Sequence, residues 1–285
     1  MALTEQLAQF PLERMVTPHG VLQFRSARTP GFDGALTHVL LHGIGSGSAS
    51  WLAQLVRARA AEAPACHVLA WDAPGYGGSD PLPMDTPTAL DYALRFWAWI
   101  DAVHVDTQAP LTLVGHSLGA LMAARATLLC PARVSRLVLL APAQGYAAAP
   151  AAVREQKLSD RLANLAQLGP AGMASQRAGA MLSAAASREQ RAFVEQVMAA
   201  IQPHGYSQAA RMLAGGDVVA DLLQARCPVS IASGSADAVT PVAGCRALAL
   251  AVGAPYVTLG EVGHSCALEA ADLVNTLIGI GRAAA

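Results

Sequence analysis

Short apolar runs alternate with longer helix-like stretches along most of this chain, and that alternation restricts its fold more than any other feature. Residues 38–41, 67–71, 111–115, 136–141, 229–233 and 256–259 each have the length and apolar content of a strand covered on both faces. Between them, residues 50–62, 86–103, 117–130, 242–252 and 266–280 read as helices. Parallel strands need crossovers of this kind, so the pattern predicts an α/β domain with helices on both faces of a mostly parallel sheet. Residues 13–17 and 21–26 flank Pro18-His19-Gly20, a hairpin signal that adds an antiparallel edge and brings the expected sheet to eight strands.

The alternation breaks once. From 145 to 216 there is no strand pattern, only helical segments punctuated by Gly169-Pro170, Pro203 and Gly215-Gly216. Ser187-Arg188-Glu189-Gln190 fits a capping box, and Phe193, Val194, Val197, Met198 and Ile201 then form an apolar stripe expected to pack against neighbouring helices. The expected organisation is a core of residues 1–144 and 217–285 interrupted by a helical cap at 145–216, with the Ala/Pro-rich stretch 145–152 as its hinge.

Composition bounds the partners. The 285-residue chain carries a formal net charge of −1, is 14% charged and is 53% hydrophobic, so it can bury a large core. No basic stripe points to nucleic acid, and no charged tail points to a membrane surface, which leaves small molecules as the expected partners. The most apolar stretch, 137–153, is interrupted by Pro142, Gln144, Gly145 and Pro150 and reads as a strand entering a loop, not a membrane span. The five cysteines are scattered and form no CxxC pair, and residues 1–15 lack the basic-then-apolar order of a secretory leader, so reduced thiols in a cytoplasm are expected. No HExxH, phosphate-binding glycine loop or Cys/His cluster is present; no metal and no cofactor are expected.

Gly115-His116-Ser117-Leu118-Gly119 follows an apolar strand and opens a helix. A sharp strand-to-helix turn lifts a serine hydroxyl clear of the sheet edge, and flanking glycines let strand and helix approach closely. A GxSxG pattern arises by chance in roughly one chain in ten of this length, so its placement carries more weight than its letters. A serine hydroxyl needs a base, and His264 in Gly260-Glu261-Val262-Gly263-His264 lies just beyond the last strand, at the same sheet edge. The base in turn needs an orienting carboxylate. Asp237, after the penultimate strand, is the first choice; Asp72, in the glycine-rich turn 72–79, is the rival but precedes the serine.

The expected catalytic set is therefore Ser117, Asp237 and His264. A developing oxyanion would be held by two N–H groups, that of Leu118 and that of Ile44 in His42-Gly43-Ile44-Gly45, with Gly45 as the alternative donor. His116 is expected to pack structurally, His42 to fix its loop, and Cys266 to fill space as a small apolar residue.

In these motifs, together with Asp72-x-x-Gly75-x-Gly77-x-Ser79, Gly234-x-x-Asp237-x-x-x-Pro241 and residues 263–269, the chain resembles the α/β-hydrolase superfamily, its lidded esterases and lactonases in particular. The motifs run in the expected order from about residue 38 to 270. The resemblance implies an α/β-hydrolase fold with a helical lid and an acyl-enzyme route on a small or medium carboxylic ester, thioester or lactone. Related enzymes cleave carbon–carbon bonds of ring-fission products or amides of small acids, and a ligand receptor on the same fold is the alternative from another class. Ile44, Met173, Met181, Met198 and Met212 are the expected apolar lining for the acyl substrate. Carbon–carbon and amide substrates often carry carboxylates, so any of Arg154, Arg161, Arg177, Arg188, Arg191 or Arg211 reaching the pocket would favour them.

Overall fold

The computed structural model describes residues 1–103 and 109–281. Its eight strands are β1 (Glu13–Thr17), β2 (Gly20–Arg28), β3 (His38–Leu41), β4 (His67–Asp72), β5 (Leu111–His116), β6 (Val134–Leu140), β7 (Val229–Ser233) and β8 (Tyr256–Thr258). They form one sheet in the order β1-β2-β4-β3-β5-β6-β7-β8. Only β2 runs against the others, pairing antiparallel with both β1 and β4. The helices are α1 (Leu3–Ala8), α2 (Leu52–Ala58), α3 (Ala89–Val103), α4 (Gly119–Leu129), α5 (Ala151–Arg177), α6 (Arg188–Ala199), α7 (Pro203–Gly215), α8 (Val218–Leu222), α9 (Val242–Ala251), α10 (Cys266–Glu269) and α11 (Ala271–Ile278).

The central strands are apolar along most of their length because both faces are covered. Val39, Leu41, Leu113, Leu137, Leu139 and Ile231 point into one buried cluster with α3 and α4. Their neighbours Leu40, Val114, Val138, Leu140 and Ala232 point into a second, with α2 and α11. This is the period-2 alternation of a strand, expressed between two cores instead of between core and water. Among the described residues, no helix is long and apolar enough to cross a membrane.

Several boundaries differ from the sequence expectation for local reasons. The helix expected from residue 117 begins at Gly119, because Ser117 has a φ of 52° and cannot continue a right-handed helix. The helix expected over 266–280 is split at Ala270, whose φ of −117° and ψ of 43° interrupt it. That expected over 50–62 is a short 3₁₀ turn (Ser48–Trp51) followed by α2, which ends at Ala58. Residues 282–285, within the expected second core segment, lie outside the described residues.

Between residues 145 and 216 the described elements are helical: α5, a 3₁₀ turn, α6 and α7. The capping box forms, with Ser187 accepting from the Gln190 N–H and the Gln190 side chain accepting from the Ser187 N–H. α5 breaks at Gly169 (φ 62°), where Pro170 lacks the N–H that would continue the ladder. The two ends of the segment meet: the N–H groups of Tyr146 and Ala147 donate to the carbonyls of Leu213 and Gly216, so the stretch 145–152 is tied down at its start.

Candidate active site

Ser117 sits on the turn between β5 and α4 at the carboxyl edge of the sheet. Its positive φ is stabilised from three sides: its N–H donates to Leu140, and its carbonyl accepts from Ala120 and Ala143. The flanking glycines are steric requirements. A Cβ at Gly115 would lie 2.6 Å from the Gly119 carbonyl oxygen, and one at Gly119 would run into the Leu41 carbonyl of the neighbouring strand.

His264 and Asp237 arrive on the loops after β8 and β7. The His264 Nδ1–H donates to Asp237 Oδ2 at 2.9 Å, since a carboxylate can only accept. Asp237 is itself held by three further hydrogen bonds within its own turn: Oδ1 accepts from the N–H groups of Val239 (2.7 Å) and Thr240 (2.9 Å), and Oδ2 accepts from Thr240 Oγ1 (2.8 Å), which also lies 3.2 Å from His264 Nδ1. Burial by itself would raise the Asp237 carboxyl, but the hydrogen bond and charge of His264 and the Thr240 donors outweigh it and hold the group below the ordinary carboxylate range. With its proton on Nδ1, His264 has its lone pair on Nε2.

The remaining polar residues build the walls. The His116 ring lies 4.8 Å from that of His264, centroid to centroid, and its Nε2–H donates to the His264 carbonyl at 2.8 Å. Burial and the adjacent His264 push the His116 imidazole down to about 3. His42 donates from Nδ1 to the Gly43 carbonyl and accepts the Ala73 N–H on Nε2, which fixes both loops, as its position in sequence suggested. Asp72, the rival acid, accepts the Ser48 N–H at 2.7 Å and so braces the loop that follows β3. Glu269 accepts from the Gly263 N–H and from the Ser183 N–H and hydroxyl, joining the His264 loop to the helical segment.

Three buried histidines make stability depend on pH. His116, His38 and His42 all have imidazoles pushed down, chiefly by burial. Above the ordinary unfolded value of about 6.5, native and unfolded states are both neutral and no difference arises. Below it the unfolded chain takes up protons that the native state refuses, so stability falls as pH falls, down to the folded values. At pH 5 His116 contributes a loss of about 2 kcal/mol relative to pH 7, and His38 and His42 add to it in the same direction. Urea unfolding at the two pH values is expected to show this drop, and His116→Gln to shrink it by about 2 kcal/mol; equal stability at pH 5 and 7 would contradict the assignment.

A cavity of about 310 Å³ opens above Ser117, bounded by the sheet edge and by α5, α6 and α7. Ser117, His264, Ile44 and Leu118 all line it, and no hydrogen bond among the described residues takes up the N–H of Ile44 or of Leu118. The Ile44 carbonyl is turned away by accepting the Tyr76 hydroxyl at 2.8 Å. Of the methionines expected as lining, Met173, Met181 and Met198 are there. Met212 is not: it is buried in the main core, and Leu213, one residue on and 100° around α7, faces the cavity instead. The α6 stripe, Phe193 to Ile201, packs against neighbouring helices as expected, with Met198 and Val194 beside Ala174 and Ala178, and it also lines the cavity along its length. An amphipathic helix reveals a covered face, not whether a helix or a ligand space covers it. Cys266 is fully buried with its thiol pushed far up by burial.

Thr240 and Glu269 were given no role from sequence. Both lie inside motifs that the sequence displays, but their partners are brought in by tertiary structure. Of the six arginines between 145 and 216, Arg161 and Arg177 line the cavity, while Arg191 donates to the carbonyls of Ser183 and Ala184.

The model of the alpha/beta hydrolase family matches residues 39–277. A curated relative, (E)-2-((N-methylformamido)methylene)succinate hydrolase of Acinetobacter baylyi, is 32% identical over 104 residues, a match that spans only 36% of this chain and 36% of that protein's length. Among solved structures, the enol-lactonase of Burkholderia xenovorans LB400 superposes with a TM-score of 0.78 at 20% identity, covering 93% of this chain and 98% of that one. A thermophilic esterase of Thermogutta terrifontis gives 0.77 at 19%, covering 94% and 96%.

Proposed function

Since the chain belongs to the alpha/beta hydrolase family, we propose that it is a serine hydrolase cleaving a small or medium carboxylic ester, thioester or lactone through an acyl-enzyme intermediate. The observation that carries this reading is the buried Asp237–His264 hydrogen bond of 2.9 Å on the same cavity as a serine held at positive φ. The helices between 145 and 216 serve as the lid of that cavity.

The chemistry follows from the tautomer. Asp237 keeps the His264 proton on Nδ1, so Nε2 takes the Ser117 proton as Oγ attacks the substrate carbonyl carbon. The carbonyl oxygen becomes an oxyanion, received by the N–H groups of Leu118 and Ile44; one such donor is worth roughly two to three orders of magnitude in rate. When the tetrahedral species collapses, the bond to the leaving alcohol breaks and His264 returns its proton to that oxygen. Water repeats the sequence on the acyl-enzyme and releases the acid. A cavity of about 310 Å³ suits a small acyl group.

The second reading keeps the three side chains and places an amide of a small acid in the cleft; the partial likeness to the A. baylyi succinate-derivative hydrolase favours it. A panel of 4-nitrophenyl esters, lactones and amides tests both. Ester or lactone turnover, with a burst of nitrophenol up to one equivalent where deacylation is slow, supports the first reading. Amide turnover that exceeds ester turnover supports the second. A folded protein that turns over nothing, yet melts at a shifted temperature with bound ligand, would overturn both in favour of a receptor.

A further inference from the structure

We propose that Arg161 and Arg177 form a carboxylate-recognition site in the cavity above Ser117, so that the substrate carries a carboxylate away from its scissile bond; this rests on the serine-hydrolase reading. The cavity wall is mostly apolar, from Ile44, Met173, Phe193, Val197 and Ile201. Two arginines, Arg161 and Arg177, interrupt it, each half-buried. Charge placed against an apolar wall carries a desolvation cost that a partner normally offsets. Among the described residues neither arginine has an ion-pair or hydrogen-bond partner, and no Asp or Glu lines the cavity. Arg191 of the same segment is held by two carbonyls, and Arg125 by Asp221 at 2.6 Å. The positive charge at the cavity is therefore local and uncompensated, on a chain whose formal net charge is −1.

Both limbs of α5 contribute to the cavity wall. Arg161 and Arg177 stand sixteen positions apart on α5, which on a straight helix would separate them by about 24 Å along the axis. The break at Gly169-Pro170 makes two limbs of α5, one carrying Arg161 and the other Arg177, and both face one space. A guanidinium fork matches the two oxygens of a carboxylate, and such charge-assisted hydrogen bonds are stronger than neutral ones.

The test compares two four-carbon acyl esters that differ in one terminal group, 4-nitrophenyl butyrate and the mono-4-nitrophenyl ester of succinate, with uncatalysed rates subtracted. Wild-type kcat/KM is expected to favour the succinate ester at least about tenfold, mostly through KM. Arg161→Gln/Arg177→Gln is expected to reduce that ratio about tenfold or more, and the double lysine variant to retain part of it. Butyrate hydrolysis with no preference, or an unchanged ratio in the double glutamine variant, would overturn the carboxylate site while leaving the hydrolase intact. Failure of the folded wild type to cleave either ester, together with no fluorophosphonate adduct on Ser117, would overturn the hydrolase reading and this inference with it.

Discussion

Ser117→Ala is expected to lower kcat on any ester substrate by roughly six orders of magnitude, with the fold retained. The loss is that large because Ser117 forms the covalent bond to the acyl group in the proposed route, and neither Cys245 nor Thr240 on the same cavity is free to replace it. Cys245 lines the same space, but burial raises its thiol, which donates to the Thr240 carbonyl. Thr240 is committed to Asp237 and the Ala141 carbonyl. The backbone at residue 117 depends on the bond its N–H donates to the Leu140 carbonyl and on those its carbonyl accepts from Ala120 and Ala143, none of which involves the hydroxyl. Stopped-flow nitrophenol release beside a circular dichroism spectrum checks both halves; residual activity above about one per cent in a folded, contaminant-free variant would place the nucleophile elsewhere.

Asp237→Asn is expected to cost roughly four orders of magnitude in kcat. An asparagine amide facing His264 Nδ1 donates instead of accepting, which drives the ring proton to Nε2 and removes the lone pair that Ser117 needs. The same substitution removes the charge that stabilises the imidazolium formed in each step. The backbone donors of Val239 and Thr240 can still be accepted by the side-chain oxygen, so the turn survives and the effect falls on rate. Parallel kcat and melting measurements separate the two, and a rate loss below about tenfold would contradict the orienting role.

How much of this was legible in the sequence follows from which contacts are local. The strands could be placed because most are short apolar runs between breakers, and the central ones β3, β4 and β5 are covered on both faces in the structure. The eight-stranded sheet with its antiparallel edge was legible on the same grounds. The turn at Ser117 was legible because glycines at 115 and 119 are the residues that its close packing demands. What could not be read was rotation and tertiary pairing. Met212 and Leu213 are equally apolar neighbours on α7, and only the helix's seating decides that the second meets the cavity. The α6 stripe gave its covered face without saying what covers it. The Glu269 carboxylate reaches Ser183, 86 residues away, a contact that no spacing encodes. Arg161 and Arg177 share a cavity because α5 breaks at Gly169, and the Gly-Pro pair signals the break but not the direction the two limbs take.

The most direct measurement of the central claim is labelling of the folded protein with a fluorophosphonate, followed by peptide mass mapping. The reagent phosphonylates an activated serine hydroxyl and leaves ordinary ones untouched. The expected result is one adduct, on Ser117, and none on the Ser117→Ala variant. An adduct on any other residue, or none on the folded wild-type protein, would contradict the account.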